Sequence, residues 1–289
     1  KKMLAIYKKE LKSYLTSMQG YVFMAFIMLV LGIYFTAYNL NYASPDFGTT
    51  LNSVTFVFLI ITPILTMRIL AEEKRNKTDQ LLFTSPVPIW KIVFGKYLGM
   101  VTIYLIPVVI TLFYPLILAK YGTVSYPMTL TAIVGFFFLG CANIAVGLFL
   151  SSITESQVIA AVLTFVVLFC SFVMNGIESF FSQTAMASML AFAVLAVLIA
   201  MVVYQMTKDN ILTGITGVVL LGAVVIIYIV KSSLYEGAIQ KLLDLLAIAN
   251  HFDNFVGGIL DFSGIVYMLS VICIFIFLTV QSIQKRRWS

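Results

Sequence analysis

Charged side chains are scarce in this sequence: only 10% of its 289 residues are Asp, Glu, Lys or Arg. Hydrophobic residues make up 61% of the chain and its mean hydropathy is +1.04, whereas a soluble domain is typically about 45–50% apolar. These values exclude an ordinary soluble globular protein. Because a transmembrane helix needs roughly 20 mostly apolar residues, the composition predicts an all-α protein that crosses a membrane several times.

Residue types that usually carry catalysis or bind metals are also few. The three cysteines, Cys141, Cys170 and Cys273, lie in apolar runs without metal-ligand spacing and are predicted to be buried. The single histidine, His251, has no Cys, Asp or Ser pattern around it. Since no G-x-x-x-x-G-K-[ST] phosphate loop is present, the chain is predicted not to be an enzyme that hydrolyses ATP. We expect no cofactor or metal in this chain, and membrane topology explains the net charge of +6 better than nucleic acid does.

Eight apolar segments are long enough to be transmembrane helices. Their approximate bounds are 20–40, 53–70, 97–119, 129–151, 156–176, 185–206, 211–230 and 263–283. The sixth and seventh are joined by residues 207–210 alone and are therefore predicted to form a tight helical hairpin. The sequence thus predicts a single transmembrane domain over residues 1–289.

The basic residues favour one orientation of these spans. With the N-terminus inside, 15 of the 18 Lys and Arg residues fall in cytoplasmic segments, as the positive-inside rule requires. An even number of spans keeps the basic residues 285–287 on that side, so both termini are predicted to be cytoplasmic.

Two further segments are amphipathic. Residues 3–18 form an apolar stripe at helical spacing with the lysines largely off it, which predicts an interfacial helix on the cytoplasmic face. Residues 231–262, on the external side, interleave leucines and phenylalanines with polar residues and contain a Gly257-Gly258 break. They are expected either to lie at the outer interface or to dip back into protein-lined membrane.

The longest charged run spans residues 68–96 and lies between two apolar segments. It holds six of the chain's 18 Lys and Arg residues together with Glu72, Glu73 and Asp79. A Ser-Pro-Val-Pro break at 85–88 divides it into two short helical pieces. We interpret the run, and residues 71–96 in particular, as a cytoplasmic docking surface for a soluble partner.

This run resembles the cytoplasmic segment of the membrane subunits of type-2 ABC exporters, especially the gliding-motility-like permease branch. The matching residues are Glu72-Glu73-Lys74-Arg75, Thr78, Leu81-Leu82, Thr84-Ser85-Pro86-Val87, Ile92-Val93 and Gly95-Lys96, with further agreement over 7–23, 148–165 and 251–288. The resemblance implies a six-span core with an N-terminal interfacial helix, a coupling helix, and re-entrant or interfacial helices before the last span. Residues 185–230 then look like an inserted hairpin, and the Gly-Thr-x-Glu of many relatives is replaced by residues 77–80.

The resemblance implies a permease subunit in the bacterial plasma membrane that is driven by a separate ATPase, which would bind ATP and Mg²⁺. The expected partners are ABC ATPase subunits, a second permease copy or a homologous permease, and membrane lipids. The residues predicted to couple the chain to the ATPase are Glu72, Glu73, Lys74, Arg75, Thr78, Asp79, Leu81, Leu82 and Pro86, with Lys8, Glu10 and Lys12 on the interfacial helix.

Three functions remain open from the sequence. The first is export of a hydrophobic or amphipathic substrate, such as a lipid-like molecule or a peptide, because the spans carry many aromatic residues and almost no charge. The second is a membrane subunit that transports nothing and anchors an extracellular assembly or relays ATPase motion to it. The third, a secondary carrier or channel, is disfavoured because such proteins usually need an ionisable residue near the midplane.

Overall fold

A computed structural model describes residues 2–78, 87–120, 122–178, 184–207 and 210–288. Within these ranges the chain is helical and has no strand. The helices group into two compact units, one made of Lys1–Phe172 and Ile248–Ser289 and the other of Val173–Ala247. The predicted inserted hairpin, residues 185–230, falls in the second unit.

The α-helices follow one another along the chain, and their bounds are α1 Lys2–Thr16, α2 Met18–Tyr34, α3 Phe47–Val54, α4 Phe58–Thr66, α5 Ala71–Arg75, α6 Ile89–Thr111, α7 Tyr114–Leu118, α8 Tyr126–Ile153, α9 Gln157–Glu178, α10 Ala185–Thr207, α11 Asn210–Val230, α12 Ala238–Leu246, α13 Asp253–Val256 and α14 Phe262–Trp288. A π-helix, Phe35–Asn41, extends α2. Short 3₁₀ segments lie at Thr55–Val57, Ser232–Tyr235 and Ile248–Phe252.

Six helical segments of the described residues are long and apolar enough to cross a membrane. They are Met18–Asn41, Phe47–Arg75, Ile89–Leu118, Tyr126–Ile153, Gln157–Met174 and Phe262–Arg286. This finding confirms the predicted polytopic helical fold with its six-span core. The two helices of the predicted hairpin are present as α10 and α11, and the Thr216–Val230 part of α11 forms a pair with Ser232–Leu246 that is bent by 116°.

The second span begins earlier than the sequence predicted. Asp46 caps α3, its Oδ1 accepting a hydrogen bond from the Gly48 N–H at 2.9 Å. Thr50 is fully buried and its hydroxyl donates to Asn39 Oδ1 at 2.6 Å. Because these polar groups are satisfied locally, a segment that reads as a polar loop is helical from Phe47 onward.

The turn from α1 into the first span is set by Ser17. Its backbone is extended and its Oγ accepts a hydrogen bond from the Gly20 N–H at 3.5 Å, so α1 ends and α2 begins at this residue. A Cβ atom at Gly20 would lie 2.3 Å from the Tyr14 carbonyl oxygen. Glycine is therefore the residue type that lets the two helices turn this sharply.

The α8 helix is the most buried of the six spans, and an aromatic cluster packs along it. Tyr104 of α6 is fully buried, and its hydroxyl donates to the Phe136 carbonyl oxygen at 2.7 Å. Its ring lies over Gly140, where a Cβ atom would be 2.3–2.5 Å from three of its atoms. The close approach of α6 and α8 therefore depends on the absence of a side chain at Gly140.

The predicted external segment 231–262 is divided between the two units. In the second unit Tyr235 donates to the Val224 carbonyl oxygen at 3.0 Å. In the first unit Phe252 and Phe255 are fully buried, and Phe255 packs directly over Gly135 of α8. Residues 248–256 thus belong to the core of the first unit, as protein-lined irregular backbone can in a membrane protein.

Candidate functional site

Three charged side chains from three different helices meet at one end of the first unit. The Lys96 ammonium donates to Glu10 Oε1 at 2.9 Å, to Glu73 Oε1 at 2.7 Å and to the Ile69 carbonyl oxygen at 3.5 Å. The Lys96 side chain is 1% exposed, that of Glu10 10% and that of Glu73 17%. We call Glu10, Glu73 and Lys96 the buried ion cluster. It joins α1, α5 and α6.

Two glycines on α6 bring α1 close enough for this contact. A Cβ atom at Gly95 would lie 3.3 Å from Ile6 and from the Met3 carbonyl oxygen, and one at Gly99 would lie 3.0 Å from the Glu10 Cβ. The four-residue spacing places both glycines on one face of α6, beside Lys96. The sequence Gly-Lys-x-x-Gly therefore provides both the groove that receives α1 and the cation beneath it.

The cluster is electrostatically asymmetric, since two carboxylates share one ammonium. Glu73 Oε2 is buried and has no hydrogen-bond partner among the described residues. Lys9 adds a second positive charge, but its ammonium is 4.0 Å from Glu73 Oε1 and its side chain is 69% exposed, so solvent screens this contact. Removal of Lys96 would consequently leave two poorly compensated negative charges on largely buried side chains.

A polar cleft of about 240 Å³ lies between α1 and α5 beside the cluster. Arg68 and Glu72 form an ion pair on its wall. Tyr14 also lines the cleft and donates its hydroxyl proton to the Leu65 carbonyl oxygen at 2.8 Å, which fastens α1 to α4. Burial raises the pKa of Tyr14 well above its usual range, and the Glu10 charge adds to this effect, so the hydroxyl remains a donor at neutral pH.

The turn that leads from α4 into α5 is held by the end of α8. Ser151 Oγ accepts from the Leu70 and Ala71 N–H groups at 3.3 and 3.2 Å and lies 3.3 Å from the Met67 carbonyl oxygen, to which it donates. Lys74 is buried and its ammonium donates to the Ser152 carbonyl oxygen. The short helix α5 is thus anchored to α8 on one side and, through Glu73, to α6 and α1 on the other.

The structure brings only part of the predicted coupling set together. Among these residues Glu73 and Glu10 belong to the buried ion cluster, Glu72 pairs with Arg68, and Lys74 contacts α8. Arg75, Lys8 and Lys12 are exposed; Thr78 is exposed too, and its hydroxyl is 3.3 Å from the Glu73 carbonyl oxygen. Asp79, Leu81, Leu82 and Pro86 lie outside the described residues. The contacts place Glu73, rather than the lysines of α1, at the junction.

Lys96 is not among the residues that the sequence predicted to couple the chain to an ATPase. It was included only in the charged run 71–96 and in the Gly95-Lys96 match to the resembling family. The available signal was its position seven residues after the start of α6, in a strongly apolar helix, with Gly95 and Gly99 on either side. A lysine in such surroundings needs a buried partner, because an unpaired charge in an apolar interior is very costly.

Comparisons with known proteins agree with this architecture. Residues 4–233 match the sequence model of a family described as ABC-2 family transporter protein. The match includes α1, the buried ion cluster and five of the six spans, as well as α10 and α11. No curated protein sequence gives a significant match to the chain.

Proposed function

Because the chain belongs to the ABC-2 family of transporter proteins and is therefore an ABC permease subunit, we propose that it works with a separate ABC ATPase that binds ATP and Mg²⁺. The complex exports a hydrophobic or amphipathic substrate, such as a lipid-like molecule or a peptide. A second permease copy, or a homologous permease, completes the membrane part. Membership in the gliding-motility-like branch remains a prediction from the resemblance.

The observation that carries this proposal, beyond the family match, is the buried ion cluster. An ATPase that pushes on the charged segment around α5 moves Glu73, which contacts Lys96 of α6, which in turn contacts Glu10 of α1. Buried charged groups resist being pulled apart, because each separated charge would remain in an apolar site. The cluster therefore makes α1, α5 and α6 move together and can pass a displacement of α5 into a membrane span.

The distribution of charge supports an apolar or amphipathic substrate. Among the described residues the buried charged side chains are Glu10, Lys74 and Lys96, and all three lie at the end of the first unit that carries α5. The other buried residues in the described portions of the six spans are apolar or carry neutral polar side chains. A charged solute would find few compensating groups along them.

Isolation of the chain from its native cells in a mild detergent tests whether an ABC ATPase is its partner. We expect an ABC ATPase to co-purify in a stoichiometric amount and its ATPase activity to depend on the permease. If the chain is instead isolated without an ATPase, under conditions that preserve other membrane complexes, the proposal of an ATP-driven permease is wrong.

Charge reversal at Glu72 tests the docking surface. Glu72 lies at the rim of the cleft and its ion pair with Arg68 is partly exposed, so Glu72→Arg is expected to leave the fold intact and to reduce permease-dependent ATPase activity severalfold. Lys120→Glu, which reverses an exposed charge after α7, is the matched control and is expected to keep normal activity. Equal ATPase activity of the two variants would show that Glu72 is not part of the docking surface. Glu73 is unsuitable for this test because its replacement disrupts the buried ion cluster.

Cysteine labelling tests the proposed location in a bacterial plasma membrane with cytoplasmic termini. In a chain whose native cysteines are replaced, Ser13→Cys and Thr123→Cys introduce exposed thiols on α1 and on the loop after α7. A membrane-impermeant maleimide added to intact cells should label the thiol at 123 and reach the thiol at 13 only after permeabilisation. The reverse pattern would contradict the orientation that the positive-inside rule predicts.

A further inference from the structure

A small recess lies inside the first unit, away from the buried ion cluster. It forms where the 3₁₀ segment Thr55–Val57 and the helices α8 and α9 meet residues 248–249. Its volume is about 20 Å³, which is room for one group of the size of a water molecule or a hydroxyl. The side chains around it are mainly leucine and phenylalanine, and none of the lining residues is charged.

Asn143 of α8 lines this recess and is only 7% exposed. Its amide takes part in no hydrogen bond within the part of the chain that the structure describes. The neighbouring polar groups are engaged elsewhere: the Thr55 hydroxyl donates to the Asn52 carbonyl oxygen at 2.8 Å, and Ser171 Oγ accepts from the Ile248 N–H at 3.1 Å. Asn143 therefore directs an amide with two donors and an acceptor into the recess without a protein partner.

An amide without a protein partner is unfavourable within a membrane span, where bulk water is absent. Polar residues inside membrane spans are costly to bury, and such a position is therefore a candidate for function. The recess is too small for a second side chain, but it opens to the outside beside Phe172 of α9, which is 37% exposed. We call this opening the crevice. A group from outside the protein can therefore reach the amide.

We propose that the Asn143 recess binds the hydroxyl or carbonyl group of an uncharged amphipathic ligand whose apolar body lies in the crevice. The ligand class follows from the site, because one neutral hydrogen-bonding side chain faces a space that holds one small polar group. The leucine and phenylalanine side chains around it fit an apolar chain, and the lack of charge in the lining excludes a charged head group. This inference concerns binding alone and does not depend on the proposed ATP-driven transport.

Photolabelling of the purified permease in lipid nanodiscs tests the site without an ATPase. The probe is an analogue of 1-decanol that carries a diazirine near its hydroxyl, and the labelled residues are identified by mass spectrometry. We expect labelling of Phe172 or Leu59 at the crevice, which 1-decanol suppresses and decane does not. Asn143→Leu removes the amide at nearly constant volume and is expected to lower this labelling at least fivefold.

Two controls separate loss of the amide from loss of the fold. Asn143→Met replaces the amide with a flexible apolar side chain and should reproduce the effect of Asn143→Leu even if the leucine packs poorly. Val162→Leu, on the exposed face of α9, should label as strongly as the unmodified chain. Undiminished labelling in both Asn143 variants, or equal competition by decane, would overturn the proposal. Absence of crevice labelling would overturn it too and would leave water as the occupant. None of these outcomes bears on the ATPase, which the co-purification experiment tests separately.

Discussion

Replacement of Lys96 with methionine removes the ammonium that both carboxylates of the buried ion cluster contact. At an effective dielectric constant of about 20, charges separated by the 2.7–2.9 Å of these contacts attract each other by about 6 kcal/mol per pair. The desolvation of the three ions, several kcal/mol each, offsets much of this attraction in the folded protein. The variant keeps the desolvation of Glu10 and Glu73 and loses the attraction, so we expect a loss of about 3–5 kcal/mol in the free energy of unfolding.

Thermal unfolding in detergent measures this loss. For a protein of this size each kcal/mol corresponds to about 2–4 °C, so the apparent Tm of Lys96→Met should fall by about 10 °C. Lys9→Met is the matched control, since Lys9 approaches the same Glu73 oxygen but is mostly exposed. A surface contact of this kind contributes about 0.2–1 kcal/mol, so the control should shift the apparent Tm by no more than about 3 °C.

Neutralisation of the two carboxylates distinguishes loss of charge balance from loss of packing. In the triple variant Lys96→Met, Glu10→Gln and Glu73→Gln, no ion remains unpaired, so most of the lost stability should return. If the triple variant is no more stable than Lys96→Met alone, the lysine acts through the packing of its side chain. The electrostatic account of the cluster would then be refuted. An equal loss in Lys9→Met would refute it as well.

Two further substitutions test the core and the outer segment. Gly140→Ala should lower the free energy of unfolding by about 1–3 kcal/mol, because the new Cβ would displace the Tyr104 ring. The control is Gly222→Ala, whose new Cβ would meet no atom within 4 Å. It should be neutral or slightly stabilising in the same thermal assay. At Asp253 burial raises the pKa, so the folded state binds the proton more tightly and stability falls as the pH rises through that pKa. Asp253→Asn keeps an acceptor for Asn52 and should therefore raise the apparent Tm at pH 7. This gain should shrink as the pH approaches about 4, where Asp253 itself is protonated. A gain in Tm that does not depend on pH would show that the charge of Asp253 is not its cause.

The elements that sequence predicted well are those fixed by local composition. The interfacial helix 3–18 corresponds to α1, and the six-span core corresponds to six apolar helical segments. Apolar runs of roughly 20 residues leave little choice of secondary structure, because backbone groups in a membrane must be satisfied within the segment. The hairpin over 185–230 was found for the same reason.

The site depends on contacts between residues that are distant in sequence, and these were not predictable. Glu10 and Lys96 are 86 residues apart, and nothing in either neighbourhood specifies the other as a partner. The beginning of α3 was missed for a related reason. Thr50 looks unfavourable in a span until the Asn39 side chain, 11 residues away, is seen to accept its proton. Sequence patterns show which groups need partners, and tertiary packing decides which partners they obtain.

The two attachments of α5 have different consequences for a permease driven by an ATPase. The hydrogen bonds to Ser151 and Ser152 connect α5 and the turn before it to the end of α8, and they fix the position of α5 relative to this central helix. The contact of Glu73 with Lys96 is ionic, and it is shared with α1, a helix that lies outside the spans. If the proposed function is correct, the rigid attachment provides a pivot at α8 and the ionic one transmits force to α6 and α1. Loss of the Ser151 hydroxyl should then affect stability more than coupling, and loss of the Lys96 charge should affect both.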